Sequence, residues 1–146
     1  RAWAERGPDL PYASPYEALI MASLIEKETG QAADRPMIAR VFLNRLKLGM
    51  RLQTDPSVIY GLGEAFDGNL TRAHLQTDTP YNTYTRAGLP PSPIALPGRA
   101  ALHAALHPAD GGALYFVARG DGSSQFSLTL EEHNRAVRRY ILGKKD

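Results

Sequence analysis

Apolar positions along this chain fall into short helical runs separated by proline- and glycine-rich joints. Residues 1–15 carry Gly7, Pro8, Pro11 and Pro15 with little periodicity and read as an irregular lead-in from a missing N-terminal region. Ser14, Pro15 and Glu17 then form a capping-box pattern, which predicts a helix running to about Thr29 with Gly30 as its left-handed stop. Asp34 and Pro36 open a second helix, its apolar positions Ile38, Val41, Phe42 and Leu46 recur at helical spacing, and Gly49 ends it. Thr54-Asp55-Pro56 opens a short helix over Ser57 to Tyr60, stopped by Gly61, and Thr71 caps a turn from Arg72 to Leu75.

Residues 76–98 hold five prolines with Tyr81, Asn82 and Tyr84 among them. An irregular stretch of this length inside one domain commonly lines a binding site. Arg99 to His107 is an alanine-rich helix that Pro108 ends. Ala113 to Arg119 and Gln125 to Thr129 alternate like strands and meet through Gly120-Asp121-Gly122, a hairpin signal. Thr129 and Glu132 form a capping box for a last helix ending before Gly143. The expected fold class is therefore α+β: a mostly helical domain over 16–146 with one small β-hairpin.

Composition narrows the chemistry. The 146 residues suffice for a single core, and 43% apolar with 22% charged residues excludes a disordered chain. Seventeen basic residues against fifteen acidic ones are scattered rather than massed, which argues against a nucleic-acid partner. Without cysteine there are no disulfides, thiolate metal sites or cysteine nucleophiles. The most apolar stretch, Ala18 to Ile25, is far too short to span a bilayer. His103 and His107 sit four apart, but no glutamate follows His103 to make a zinc motif, and Gly61-Leu62-Gly63 lacks the third glycine of a dinucleotide site. Neither a metal nor a cofactor is expected, and Lys144-Lys145 reads as a solvated tail.

The chemistry concentrates in Glu26 and Glu28. Two residues apart on a helix at about 100° per residue, they face opposite sides. Glu28 stacks over Leu24 and Ile25 on the apolar stripe, at a helix end where a negative charge meets the negative dipole. Desolvation there raises a carboxyl pKa and suits it to act as an acid. Asp55 is either a helix cap or a second cleft carboxylate. Gln53 and Thr54 offer an amide and a hydroxyl to sugar groups, or hydrogen-bond within their loop. Tyr81, Asn82 and Tyr84 suit a glycan, whose rings pack on aromatic faces while its hydroxyls seek partners, and serve equally as turn packing. Asn44 and Arg45 face either the cleft or the solvent.

The segment Leu24-Ile25-Glu26-Lys27-Glu28-Thr29 resembles the helix end of lytic transglycosylases, where a hydroxyl residue follows the catalytic glutamate. The resemblance is closest to the MltG (YceG-like) endolytic murein transglycosylases. It is carried by Ala22 to Thr29, Val41-Phe42-Leu43-Asn44-Arg45-Leu46, the run Gly49 to Pro56, Val58-Ile59-Tyr60-Gly61, Tyr81-Asn82-Thr83-Tyr84, Gly88-Leu89-Pro90-Pro91, His107-Pro108 and Tyr115-Phe116-Val117-Ala118. It implies a lysozyme-like catalytic domain, separated from the family's membrane anchor and LysM-like region. Glu28 would be the catalytic residue, or Glu26 if the signature is placed differently. Gln53, Thr54, Asp55, Tyr60, Tyr81, Asn82 and Tyr84 would line the cleft.

The implied reaction cuts the MurNAc-GlcNAc β-1,4 bond inside peptidoglycan strands and leaves 1,6-anhydro-MurNAc ends, with one glutamate as acid and then base. The implied place is the periplasmic face of a bacterial inner membrane, tethered by the missing anchor, near the synthases that polymerise the same glycan. Two rivals are a hydrolytic muramidase using Asp55 as second carboxylate, and a non-catalytic peptidoglycan-binding module.

Overall fold

Helix α1, Pro15–Glu28, is the centre of the domain. In the computed structural model, which describes residues 1–28 and 31–143, its positions Met21, Ala22, Leu24 and Ile25 are fully buried. The expected stop at Thr29 and Gly30 lies outside the described residues. Its start follows the expected pattern with one shift. The Glu17 N–H donates to Ser14 Oγ at 3.4 Å, while the Glu17 carboxylate reaches past the cap to accept from Ala13 N–H at 2.9 Å.

Helix α2, Arg35–Leu48, ends at Gly49 in the left-handed conformation (φ 72°). Asp34 precedes it but makes no side-chain cap; its carboxylate instead accepts from Ser124 N–H at 3.1 Å and ties α2 to the hairpin. Helix α3 spans Asp55–Leu62, so Gly61 lies inside it and Gly63 (φ 56°) ends it. Gly61 is needed for another reason: a Cβ there would stand 2.5 Å from Thr79 Oγ1. Helix α4, Arg72–Gln76, carries a complete capping box between Thr71 and His74.

Helix α5, Arg99–Leu106, packs on α1 and α2. Its buried face is Ala101, Ala104 and Ala105, and side chains that small let the α1 backbone approach closely. Strands β1, Tyr115–Ala118, and β2, Ser124–Ser127, pair antiparallel with Phe116 opposite Phe126. Their joint is wider than a two-residue turn, closed by Arg119 N–H to Ser123 O at 2.9 Å. Helix α6, Leu130–Tyr140, starts at the Thr129–Glu132 cap and packs on the hairpin. This is an α+β domain.

Two irregular segments are firmly held. In the lead-in, the buried Tyr12 hydroxyl donates to Ala105 O at 2.8 Å and Gly7 N–H donates to Leu106 O at 2.8 Å. Between α4 and α5, Ser23 Oγ in the middle of α1 accepts from Ile94 N–H at 3.1 Å, and Tyr81 and Ser92 share a 2.6 Å hydroxyl bond. Asp78 and Arg86 add an exposed bidentate pair. Among the described residues no helix is long and apolar enough to cross a membrane.

Candidate active site

The C-terminal end of α1 delivers Glu28 to a cavity of about 250 Å³. The other lining side chains are Val41 and Arg45 from α2, Leu52, Gln53 and Asp55 around the start of α3, Tyr84 from the proline-rich loop, Phe116 from β1, and His133 from α6. Five parts of the chain thus converge on one carboxyl. Its Oε2 is buried and has no hydrogen-bond partner among the described residues. Burial, reinforced by the charge of Asp55, pushes the Glu28 pKa up from 4.5 to about 7.

That shift has a cost in stability. The folded-state value lies above that of the unfolded chain, so the native state binds this proton more tightly. The charge penalty is absent below about pH 4.5, grows as pH rises to about 7, and is complete above it. Glu28→Gln is expected to stabilise the domain by about 3 kcal/mol at pH 8 and not at all at pH 4. Urea unfolding at the two pH values measures this, and an equal effect at both would disprove the charge origin.

Asp55 is in the first turn of α3, but no side-chain cap is made there. Its Oδ1 accepts from the Tyr84 hydroxyl at 2.6 Å on the cavity rim. The cleft reading of Asp55 therefore replaces the cap reading. Burial and this bond to a carboxylate raise the Tyr84 pKa, so the phenol keeps its proton and remains a donor. Gln53 lines the cavity in the left-handed region (φ 54°), a conformation costing of order 1 kcal/mol for a side chain of this kind. Its N–H donates to Thr83 O at 3.2 Å, and its Oε1 accepts from Arg45 Nη1 at 3.4 Å.

Four of the expected cleft residues stand elsewhere. Thr54 is buried behind the wall, where its hydroxyl meets Ser57 Oγ at 2.9 Å and its N–H donates to Thr83 Oγ1 at 2.8 Å. Asn82 is 1% exposed and saturated: its Nδ2 donates to Leu75 O and Thr77 O, and its Oδ1 accepts from Tyr84 and Thr85 N–H. It shapes the loop that presents Tyr84 rather than facing the cavity. Tyr60 and Tyr81 pack against each other at 4.8 Å, outside the cavity lining. Glu26 faces away, with Oε1 accepting from Gly98 N–H at 2.6 Å just before α5.

Arg45, left open between cleft and solvent by the sequence, lines the cavity, and so does His133, which the sequence did not single out. Arg45 lies within the Val41–Leu46 block, whose helical spacing left its direction open. Its neighbour Asn44 turns away to donate to Gly111 O and Ala113 O. His133 carries no sequence signal, because its place depends on how α6 docks on the hairpin.

The YceG-like family model matches residues 1–139. The chain belongs to the YceG-like family. Its relatives include the endolytic murein transglycosylase of Bacillus subtilis (strain 168), 49% identical over 91% of this chain and 37% of that protein. Another, of the same name, is from Streptococcus pneumoniae serotype 2 (strain D39 / NCTC 7466), 34% identical over 88% of this chain and 24% of that protein. The crystal structure of a yceG-like protein from Listeria monocytogenes matches with a TM-score of 0.74 at 50% identity, covering 82% of this chain and 38% of that one. The YceG-like chain thus spans well under half the length of these relatives. Of the blocks that carry the resemblance, the end of α1, the Val41–Leu46 run, the Gly49–Pro56 run, Tyr81–Tyr84 and β1 each contribute a residue to the cavity lining, whereas Gly88–Pro91 and His107-Pro108 do not.

Proposed function

We propose that this domain is a peptidoglycan lytic transglycosylase in which Glu28 acts first as acid and then as base. The observation that carries the reading is the Glu28 carboxyl, buried in the wall of the cavity, with one oxygen unpartnered among the described residues and a pKa near neutrality. A carboxyl held in its protonated form can donate to the glycosidic oxygen as the bond to the departing sugar breaks. The resulting carboxylate then takes the proton of the MurNAc C6 hydroxyl as that oxygen closes on C1. The product carries a 1,6-anhydro ring, and no water is consumed. The names of the relatives, which refer to murein and to endolytic cleavage, support the substrate and an attack within strands.

The working place is the cell envelope, beyond the inner membrane, among the synthases that make the same strands. A second reading rests on Asp55, whose carboxylate lines the same cavity. Hydrolysis would use it to activate water and would leave reducing ends. The Tyr84 hydroxyl already occupies Oδ1, which favours Asp55 as a fixed acceptor on the rim. Digestion of purified sacculi followed by mass analysis separates the two, since the anhydro product is lighter by one water. Anhydro ends are expected; reducing ends alone would establish the hydrolase, and binding without soluble products would establish a glycan-binding module.

A further inference from the structure

Arg45 is 8% exposed, yet among the described residues it forms no ion pair. Its Nε donates to Leu114 O at 2.7 Å, and its Nη1 donates to Arg51 O at 2.9 Å and to Gln53 Oε1 at 3.4 Å. These acceptors satisfy hydrogen bonds and fix the guanidinium plane, but all of them are neutral. Nη2 has no hydrogen-bond partner among the described residues, and the side chain forms part of the cavity wall. The electrostatic neighbours of the guanidinium are Tyr115 and Tyr84, not a carboxylate.

A guanidinium cannot escape its burial by releasing a proton at any ordinary pH, so its charge stays in the wall. Burying a cation without a counter-charge costs free energy, and an incoming anion recovers part of that cost. The surroundings are built for a planar group. The Tyr115 ring lies 5.0 Å from the guanidinium carbon, and the His133 ring stacks on Tyr115 at 5.1 Å and 23°. Burial and the charge of Arg45 both lower the His133 pKa, so this imidazole is neutral at physiological pH and does not compete for the anion. The carboxyl groups of the cavity, Glu28 and Asp55, form no ion pair with Arg45, so among the described lining residues Arg45 is a fixed cation without a counter-charge.

We propose that Arg45 is a specificity-determining residue that receives a carboxylate carried by the muramyl side of the glycan. A guanidinium with a free terminal nitrogen, fixed by neutral acceptors, suits a planar carboxylate better than it suits a sugar hydroxyl. Two sources supply that chemistry: the lactyl carboxylate of a muramyl residue without a peptide, and a free carboxylate on an attached stem peptide. This inference rests on the transglycosylase reading and deepens it by naming the group that sets the orientation of the strand.

The test uses two pairs of soluble strand fragments: peptide-free ones and stem-peptide-bearing ones, each with its carboxylates intact or converted to amides. Binding to the Glu28→Gln chain is measured by calorimetry, and cleavage by the parent chain is followed alongside. Weakening by about tenfold or more on amidation is expected in one pair, and that pair identifies the source of the carboxylate. The gap should close in Arg45→Gln, and Arg45→Lys should restore part of it. Circular dichroism checks that these variants are folded, since Arg45 also braces Leu114 and Arg51; the parent comparison stands without them. Equal affinity of the intact and amidated forms in both pairs would overturn the role of Arg45. If anhydro products still formed, the transglycosylase reading would survive that result. Absence of binding and of products from every fragment would overturn both.

Discussion

Replacing Glu28 with glutamine is expected to slow release of anhydro products from sacculi by roughly 10²–10⁴-fold, a rise of about 3–5 kcal/mol in the barrier. Glutamine keeps the volume and the hydrogen-bonding shape but can neither give up nor take the proton that the reaction needs. The matched control is Glu26→Gln. Glu26 accepts from Gly98 N–H at 2.6 Å, a bond the glutamine oxygen can also accept, so cleavage should stay near the parent rate. Activity of the parent should also decline as pH rises through about 7, where Glu28 loses the proton that the proposed mechanism has it donate. Product release by quantified chromatography of digests checks all three. A fully active Glu28→Gln chain would remove the mechanism, and a dead Glu26→Gln chain would move it one helical face away. Since Glu28→Gln is expected to be the more stable protein at pH 8, loss of its activity could not be attributed to unfolding.

Asn82→Ala should be the most damaging change outside the cavity. Its side chain donates at 3.0 and 2.7 Å to the carbonyls of Leu75 and Thr77, and accepts at 2.8 and 3.1 Å from the N–H groups of Tyr84 and Thr85. Alanine leaves four backbone groups without these partners in a place that water reaches poorly. The expected cost is about 3 kcal/mol, or a drop in Tm of roughly 10 °C. Because two of those bonds set the backbone that carries Tyr84, loss of the Tyr84–Asp55 contact should follow, and activity should fall further than unfolding accounts for. Thermal unfolding paired with cleavage below the transition measures both. A loss under about 1 kcal/mol would show that proline stiffness alone holds the loop.

The local grammar of this chain was readable. Caps at Ser14, Thr71 and Thr129, the stop at Gly49 and the hairpin glycines all act within a few residues, and the elements they define are present. Misreadings arose where a residue answers to something distant. Gly61 looked like a helix stop, but its lack of a side chain serves the close passage of Thr79. Asp34 looked like a cap, but its carboxylate serves the hairpin at Ser124.

The cavity follows the same rule. The direction of Glu28 could be read from helical spacing, because the apolar stripe of α1 is local information. Asn82 and Tyr84 are two residues apart in one loop and looked alike as candidates. One is saturated by the backbone and the other reaches Asp55, a distinction that depends on how residues 75–85 fold back on themselves. Arg45 and His133 depend on the docking of β1 and α6, which no spacing along the chain encodes.

The burial of Glu28 in a cavity that Val41, Leu52 and Phe116 also line has one more implication. Acid strength here is governed by burial, through the local dielectric, more than by the charge of Asp55. Drift in these aliphatic and aromatic positions would retune Glu28 by wetting it, even with every hydrophilic side chain preserved. The proton affinity of this carboxyl is thus inherited through the shape of the interior around it.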